Sequence, residues 1–430
     1  MSSRTAITDV VVVGAGFAGL AAATALHTAG VPFLLMEARN RVGGRVEAGI
    51  NGLREKVDLG GQFICDDMPE VMALARLHDR QLTRAYVAGK SVVQPEPLDP
   101  DDLYARVSAI RDRMNEVDID SESAVGLSVG AWTAVQPDDA DAKSGFLSMI
   151  EGLWCQPPED IPLWYMVDND RRITNDVPEL QYFLKDSIHT LAEDLARPLA
   201  ASMRLSMSVE RISQDRNGVV IHAAHETVAA RQVIIAVPPV MAGRIAFEPR
   251  LPPSLAGALN AWRSGSVIKA LLRYATPFWR DSGRSGAVLF LEPHGLYACD
   301  ASHDVDHPAL VVFIGGSLAR QWRTLGEAGV RAAIVDHLIP ALGPKAAEPV
   351  DITLRDWSGD RWSGGAYSDI VVDLAARNAE AAMREGTETV RFACSELSPS
   401  FPGYIEGALV AGRQAAAEVI ARLDAGTPAA

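Results

Sequence analysis

The sequence predicts an α/β protein, with a nucleotide-binding domain assembled from non-contiguous segments and a second, α+β domain inserted into it. Three observations predict this. First, the apolar run Val10-Val11-Val12-Val13 breaks into a Gly14, Gly16, Gly19 turn and continues as an Ala-rich segment, as a buried strand, tight turn and helix would. Second, buried-strand patterning returns far downstream, around 204–221, 232–237 and 390–393, with text of another character between. Third, 430 residues exceed one ordinary core, so two domains are the natural division.

The glycines of the first turn have separate duties. Gly14 allows the turn, Gly16 lets backbone approach a pyrophosphate, and Gly19 lets the helix pack close to the strand. The helix N-terminus then offers unpaired N–H groups to phosphate. A second apolar run, Val31 to Met36, ends at Glu37, roughly twenty positions on, where an acid meets a ribose hydroxyl. This is a Rossmann-type unit, and by itself it suits NAD or FAD equally. Asn40-Arg41-Val42-Gly43-Gly44-Arg45 adds a glycine pair between arginines, suited to wrapping a pyrophosphate with guanidinium counter-charge. Asp58-Leu59-Gly60-Gly61-Gln62-Phe63 is a second tight Gly-Gly turn after a short strand.

Further along, from Ala85 to about Pro198, strand signals become scarce and Pro, Asp and aromatic residues collect, which predicts a mostly helical insert. Arg204 to Ile221 predicts strands around an Asn217-Gly218 hairpin turn. Gln232 to Val237 is a buried strand that two prolines force out of its sheet. Ser266 to Tyr274 and Leu310 to Gly315 are strands, and a helix is expected over about 326–342. The last segment, Val390 to Leu423, reads as a strand, a loop and an Ala-rich helix whose small residues allow close packing on the nucleotide domain. The resulting division is 1–78, 200–260 and 356–424 for the nucleotide domain, 79–199 and 261–355 for the second domain, and 425–430 as a short tail.

Composition limits the function classes. A formal net charge of −15 argues against a nucleic-acid binder and weakly favours cationic small molecules. Four scattered cysteines, none in a C-x-x-C pair, suggest neither a zinc site nor a disulfide framework, and reduced thiols suit a cytoplasmic protein. No metal is expected. The segment Ile7 to Leu26 carries Asp9 and the three turn glycines, so it reads as neither a signal peptide nor a membrane anchor.

Taken together, Gly14 to Arg45 and Gly60-Gly61-Gln62-Phe63 resemble the flavin-containing amine oxidase family, the monoamine and polyamine oxidases. The resemblance continues through Val267-Ile268-Lys269-Ala270 with Pro277-Phe278-Trp279-Arg280, then Trp357 with Ser363-Gly364-Gly365-Ala366-Tyr367, then Gly403-Tyr404-Ile405-Glu406-Gly407-Ala408. Only the insert around 85–198 fails to align. The resemblance implies a Rossmann-type FAD-binding domain with an inserted substrate-binding domain. It implies that Gly14, Gly16 and Gly19 receive the pyrophosphate, that Glu37 holds the adenosine ribose, and that Arg39 and Arg45 line the phosphates. Gly44, Gly61 and Gln62 belong to the same cofactor set. Val209 lends backbone to the adenine, Trp357 packs on the flavin, and Glu396 and the backbone of Ile405 lie near the ribitol and ring. Lys269 would hold a water against flavin N5, and its apolar flanks already argue for burial. Tyr367 and Tyr404 would be two facing rings that admit a slim amine and orient its nitrogen. The implied partners are a small-molecule amine and dioxygen, and a homodimer is allowed.

Departures from the family pattern carry information. Animal monoamine oxidases bond the flavin through a cysteine just before the first cage tyrosine; here that residue is Ala366, so the FAD should be held non-covalently. Cys394 stands where a glycine is expected beside the flavin. A glycine pair expected before Gln181 is replaced by Asp176-Val177-Pro178-Glu179, so substrate choice does not transfer. Amine, polyamine and amino acid substrates therefore stay open, as do an L-amino acid oxidase and a desaturase of related fold. Arg171 and Arg172 are candidate carboxylate clamps, Asp168 and Asp170 candidate polyamine acids, and Trp154, Trp164 and Tyr165 candidate cavity walls.

Overall fold

Val10 to Val12 have no exposed surface because the strand Ala6–Val13 lies in the middle of a sheet with helices and strands packed on both faces. The computed structural model describes residues 6–121, 124–174, 176–224 and 226–425, and the predicted tail lies outside them from residue 426 on. Ala6–Val13 pairs in parallel with Phe33–Met36 on one side and with Thr227–Ile235 on the other. Phe33–Met36 continues to Met203–Arg204. Thr227–Ile235 is shared between partners: its first half takes the antiparallel strand Gly218–Ala223, and its last residues take Val390–Phe392 in parallel. The hairpin then extends through Val209–Asp215 to Ala246–Glu248. One sheet thus draws its strands from three distant stretches of chain, which is the non-contiguous Rossmann-type domain.

The prolines after Thr227–Ile235 do what their chemistry demands. The strand stops, and Pro239 opens a short helix, Pro239–Ala242. The predicted hairpin is present, but Gly218 pairs with Asp215, so the turn is made by Arg216 and Asn217 and Gly218 already belongs to the strand.

The second sheet has six strands in the order Asp351–Asp356, Val267–Arg273, Ala309–Gly315, Leu296–Asp300, Arg284–Phe290, Lys90–Gln94. Its last strand comes from the insert, and Leu82–Arg84 pairs with Tyr182–Leu184, so the insert is not wholly helical. Its helices are Pro100–Asn115, Val129–Ala134, Ala140–Trp154, Leu163–Arg172 and His189–Ala196. The last of these departs from the sequence division. Ile188, Leu191, Ala192 and Ala196 are buried in one cluster with Leu20, Leu26 and Leu35, so the stretch that ends at 199 packs with the nucleotide domain. The long helix Ile405–Ala425 closes the same cluster, lying on Phe17–Thr28. No helix among the described residues is long and apolar enough to cross a membrane.

Candidate active site

A cavity of about 650 Å³ runs between the two sheets. At one end its wall is the first glycine turn. The helix Phe17–Thr28 begins at Gly16 with no side-chain cap and no acid in its first turn, so its N–H groups are left for an anion. Gly14, Gly16, Glu37, Arg39, Gly44 and Arg45 all line this end. Glu37 is buried, and its carboxylate accepts from the N–H of Ala15 (2.7 Å) and of Arg39 (2.8 Å). Gly44 faces Gly16 across the turn; its φ is +59°, and a Cβ there would sit 3.2 Å from Gly16 Cα. Backbone cradle, free helix terminus and guanidinium groups fit a dinucleotide pyrophosphate.

Gly61, Gln62, Val209, Trp357 and Ile405 also line the cavity. Two residues predicted for the cofactor do not. Gly19 faces the strand, where a Cβ would meet Gly14 O at 1.8 Å, so it sets helix–strand packing instead. Glu396 lies behind the wall, 1% exposed, and binds Arg45 (2.6 and 3.1 Å), the N–H of Asp369 and the hydroxyl of Ser395. Arg41 also turns away from the cavity. It donates to the carbonyls of Val42, Gly44 and Val46 and to Glu47, bracing the Gly43-Gly44 loop from behind. Arg45 reaches further, donating to Tyr367 O (2.9 Å) as well as to Ser395 and Glu396. Its neighbouring carboxylates hold its charge firmly despite burial.

Lys269 comes from Val267–Arg273, a strand buried on both faces. The side chain is 3% exposed, and Nζ donates to Gly60 O and Gln62 Oε1, both at 2.8 Å. Burial lowers its pKa to about 8, partly offset by the charge of Asp58. Gln62, expected among the cofactor contacts, therefore also anchors the lysine. Opposite Lys269 in the ladder stands Phe313, whose ring meets Tyr367 edge-on at 5.9 Å between centroids. Phe313 lines the cavity and escaped the sequence reading because an all-apolar strand does not show which residue faces a site. Trp357 donates from Nε1 to Leu59 O (2.8 Å) and carries the Arg355 guanidinium 4.2 Å above its ring centroid.

Tyr367 and Tyr404 line the same cavity. The Tyr404 ring is held edge-on by Phe401, and its hydroxyl donates to the carboxylate of Glu179. Glu179 also lines the cavity, from the loop where glycines were expected, and burial raises its pKa. Ala366 and Cys394 are in the wall too; burial pushes the Cys394 thiol far up, so it stays protonated.

The insert's candidates separate cleanly. Trp154 lines the cavity, whereas Trp164 and Tyr165 stack edge-to-face in the core. Arg171 is bound to the carbonyls of Asn115 and Val117, and Arg172 to Ser398 O, Glu380 and Asp168; neither lines the cavity. Asp170 does, but Arg111 beside it grips the carboxylate with two nitrogens at 2.7–3.1 Å and Asn115 donates to it as well. Arg111 and Glu179 have no sequence signature, since only the packing of helix and loop brings them together. His303 and His307, four residues apart, sit on a turn where His303 packs on Phe183 and His307 bonds Asp304. Among the described residues no group of three or more His, Cys, Asp or Glu could hold a metal ion.

A family pattern described as flavin containing amine oxidoreductase matches residues 17–105 and 116–420. Flavin-containing amine oxidase B of Homo sapiens is 26% identical over 96% of this chain and 86% of its own length. Flavin-containing amine oxidase of Danio rerio is 28% identical over 96% and 85%. Among solved structures, cyclohexylamine oxidase from Brevibacterium oxydans superposes with a TM-score of 0.88 at 26% identity, covering 97% of this chain and 99% of the other. Putrescine oxidase bound to putrescine gives 0.89 at 26% identity, covering 97% and 100%.

Proposed function

The chain belongs to the flavin-containing amine oxidoreductase family, and on that premise we propose that it binds FAD non-covalently and oxidises a C–N bond of a small amine, with dioxygen as acceptor. One observation carries the reading. Lys269, Tyr367 and Tyr404, from three remote segments, open into the cavity that begins at the Gly14–Gly16 turn.

The first turn, Glu37, Arg39, the Gly43-Gly44 loop and Arg45 would hold the dinucleotide, and Gly61, Trp357 and Ile405, which line the same cavity, would meet the rest of the cofactor. The bound flavin supplies the redox chemistry: acceptance of a hydride equivalent from the amine α-carbon, which leaves an imine for water to hydrolyse, and return of the electrons to dioxygen as peroxide. Tyr367 and Tyr404 orient a neutral amine and present π faces to its nitrogen. Lys269 has three N–H donors as an ammonium, and two are taken by Gly60 and Gln62. The third is free to fix a water in the cavity. The apolar wall, including Phe313 and Trp154, keeps other water out. No strong general base is required for hydride transfer.

Ala366 has no sulfur to offer, and the Cys394 thiol is held protonated, which supports a non-covalent flavin. The four cysteines are free and buried, which supports a reducing, cytoplasmic setting. Arg111 already spends Nε and Nη2 on Asp170, so it is a partly engaged rather than a free clamp for an amino acid carboxylate. A peroxide-release screen over monoamines, polyamines and amino acids, with anaerobic bleaching of the flavin, tests the reading. Bleaching by an amine is expected; none by any amine refutes it. Acid precipitation should leave a colourless pellet, and a yellow pellet would show a covalent tether.

A further inference from the structure

Asp58 ends the strand Lys56–Asp58 and begins a turn whose next residues hold Trp357 and Lys269. Leu59 O accepts from the Trp357 indole, and Gly60 O and Gln62 Oε1 accept from Lys269. The Asp58 carboxylate is buried. Its Oδ1 accepts from the Ser187 hydroxyl and from the N–H of Ile188 (3.1 Å), while among the described residues Oδ2 has no donor. An asparagine would serve Ser187 and Ile188 equally well. What the carboxylate adds is charge, and a buried charge needs a counter-charge. The charge that acts on Asp58 most strongly is that of Lys269. Lys56, on the same strand, is more exposed and faces Glu193 (3.8 Å). Glu193 also pairs with His189 (3.4 Å) on the helix that follows Ser187. Lys269 in turn responds to Asp58 and to Cys299, whose thiol is pushed up to about 12 by burial and stays neutral. Asp58 is thus the anion that answers the buried ammonium.

The charge of Lys269 decides what it can do. A neutral amine has two N–H groups, and Gly60 and Gln62 take both. Only the ammonium has a third to offer the cavity. We propose that Asp58 is a positioning residue of the reaction: acting across the turn and not through contact, its negative charge keeps Lys269 an ammonium at neutral pH and so keeps the third N–H available to the cavity. This rests on the amine oxidase reading above and deepens it. Burial lifts the Asp58 carboxyl to about 6 against the pull of Lys269, and the lysine titrates at about 8, so both are ionised between these values. Above the window the lysine loses its cavity-facing donor; below it the carboxylate takes a proton.

The first test follows flavin reduction by amine and reoxidation by dioxygen across pH, by rapid mixing with the flavin-loaded enzyme. The limb near pH 8 that reports Lys269 should move down by about one pH unit in Asp58→Asn, the effect of losing one nearby opposite charge. Ser187→Ala removes a hydrogen bond from the same carboxylate but keeps its charge, and should leave the limb in place. A limb that Asp58→Asn does not move, or that Ser187→Ala moves as far, overturns the proposal, because Asp58 would then only brace the turn. So does the absence of any such limb. The second test does not depend on folding of the Asp58 variant. In protein carrying 13C at the aspartate carboxyls, one resonance titrating near pH 6 should rise by about one pH unit when Lys269→Met removes the ammonium, since coupling acts equally in both directions. If no aspartate responds, the proposal fails. If no amine bleaches the flavin, the amine oxidase reading fails, whereas the carboxyl titration still decides whether Asp58 and Lys269 are coupled.

Discussion

At the residue scale, Lys269 ties chemistry to pH. Its pKa of about 8 lies below the ordinary 10.5, so the folded protein releases a proton that the unfolded chain still holds between these values. Burying the ammonium therefore costs stability in full below pH 8, and stability rises as pH climbs through the window from 8 to 10.5. Denaturation of the wild type and of Lys269→Met across that window should show the wild type gaining on the variant. The same group is a donor to the cavity below pH 8 and gains a lone pair above it. Either flavin reduction or its reoxidation should thus follow an apparent pKa near 8, and Lys269→Met should keep the bound flavin's colour, slow that step and flatten the profile. Unaltered half-reaction rates in the variant would remove Lys269 from the mechanism. Burial of Lys269 could be read from Val267, Ile268, Ala270 and Leu271 around it; its partners could not, because Gly60 and Gln62 lie over two hundred residues away. Glu179 shows the opposite limit. It sits on an irregular loop with no periodicity, so only the folded chain reveals that it meets Tyr404.

At the element scale, the loop between Arg41 and Arg45 is built from both sides: Arg41 fixes its carbonyls, and Arg45 fixes its exit to Tyr367, Ser395 and Glu396. Glu396 is fully enclosed, so Arg45→Met would strand a carboxylate. Breaking such a buried pair costs about 3–5 kcal/mol. Chemical denaturation should show a loss of that order, together with lower flavin content on purification. Adding Glu396→Gln should recover part of the stability, since the two residues share one interaction. Equal losses in the single and double variants would mean that the pair does not hold the loop. The sequence announced the glycines and arginines of this loop as phosphate-facing. It could not tell Arg41 from Arg45, because which guanidinium faces inward depends on the Gly43-Gly44 backbone and on a partner, Glu396, at the far end of the chain.

For the whole molecule, several buried strands and the fusion of distant segments into one domain were legible, since glycine turns, buried runs and the final Ala-rich helix each carry a local pattern, whereas the order of strands within each sheet was not. Less legible was the border near 199, where an amphipathic helix can turn its apolar face to either domain; His189–Ala196 chose the nucleotide domain. The last helix has little tolerance. A Cβ on Gly412 would stand 2.1 Å from Ala18 O, so the two helices approach to backbone distance. Gly412→Val should cost about 1–3 kcal/mol or more by overpacking, read as a lower denaturation midpoint. Gln414→Ala, on the exposed face of the same helix, should stay within about 0.5 kcal/mol of wild type.

The divided pairing of Thr227–Ile235 has a consequence for biosynthesis. As the chain leaves the ribosome, Val390–Phe392 and the helix that covers Phe17–Thr28 emerge long after Ala6–Val13 and its glycine turn. The nascent strand must wait, its apolar face open, until those distant segments have been made, and pairings of such long sequence separation form slowly. Holdase protection during translation, more than any late repair, is what this topology asks of the cell.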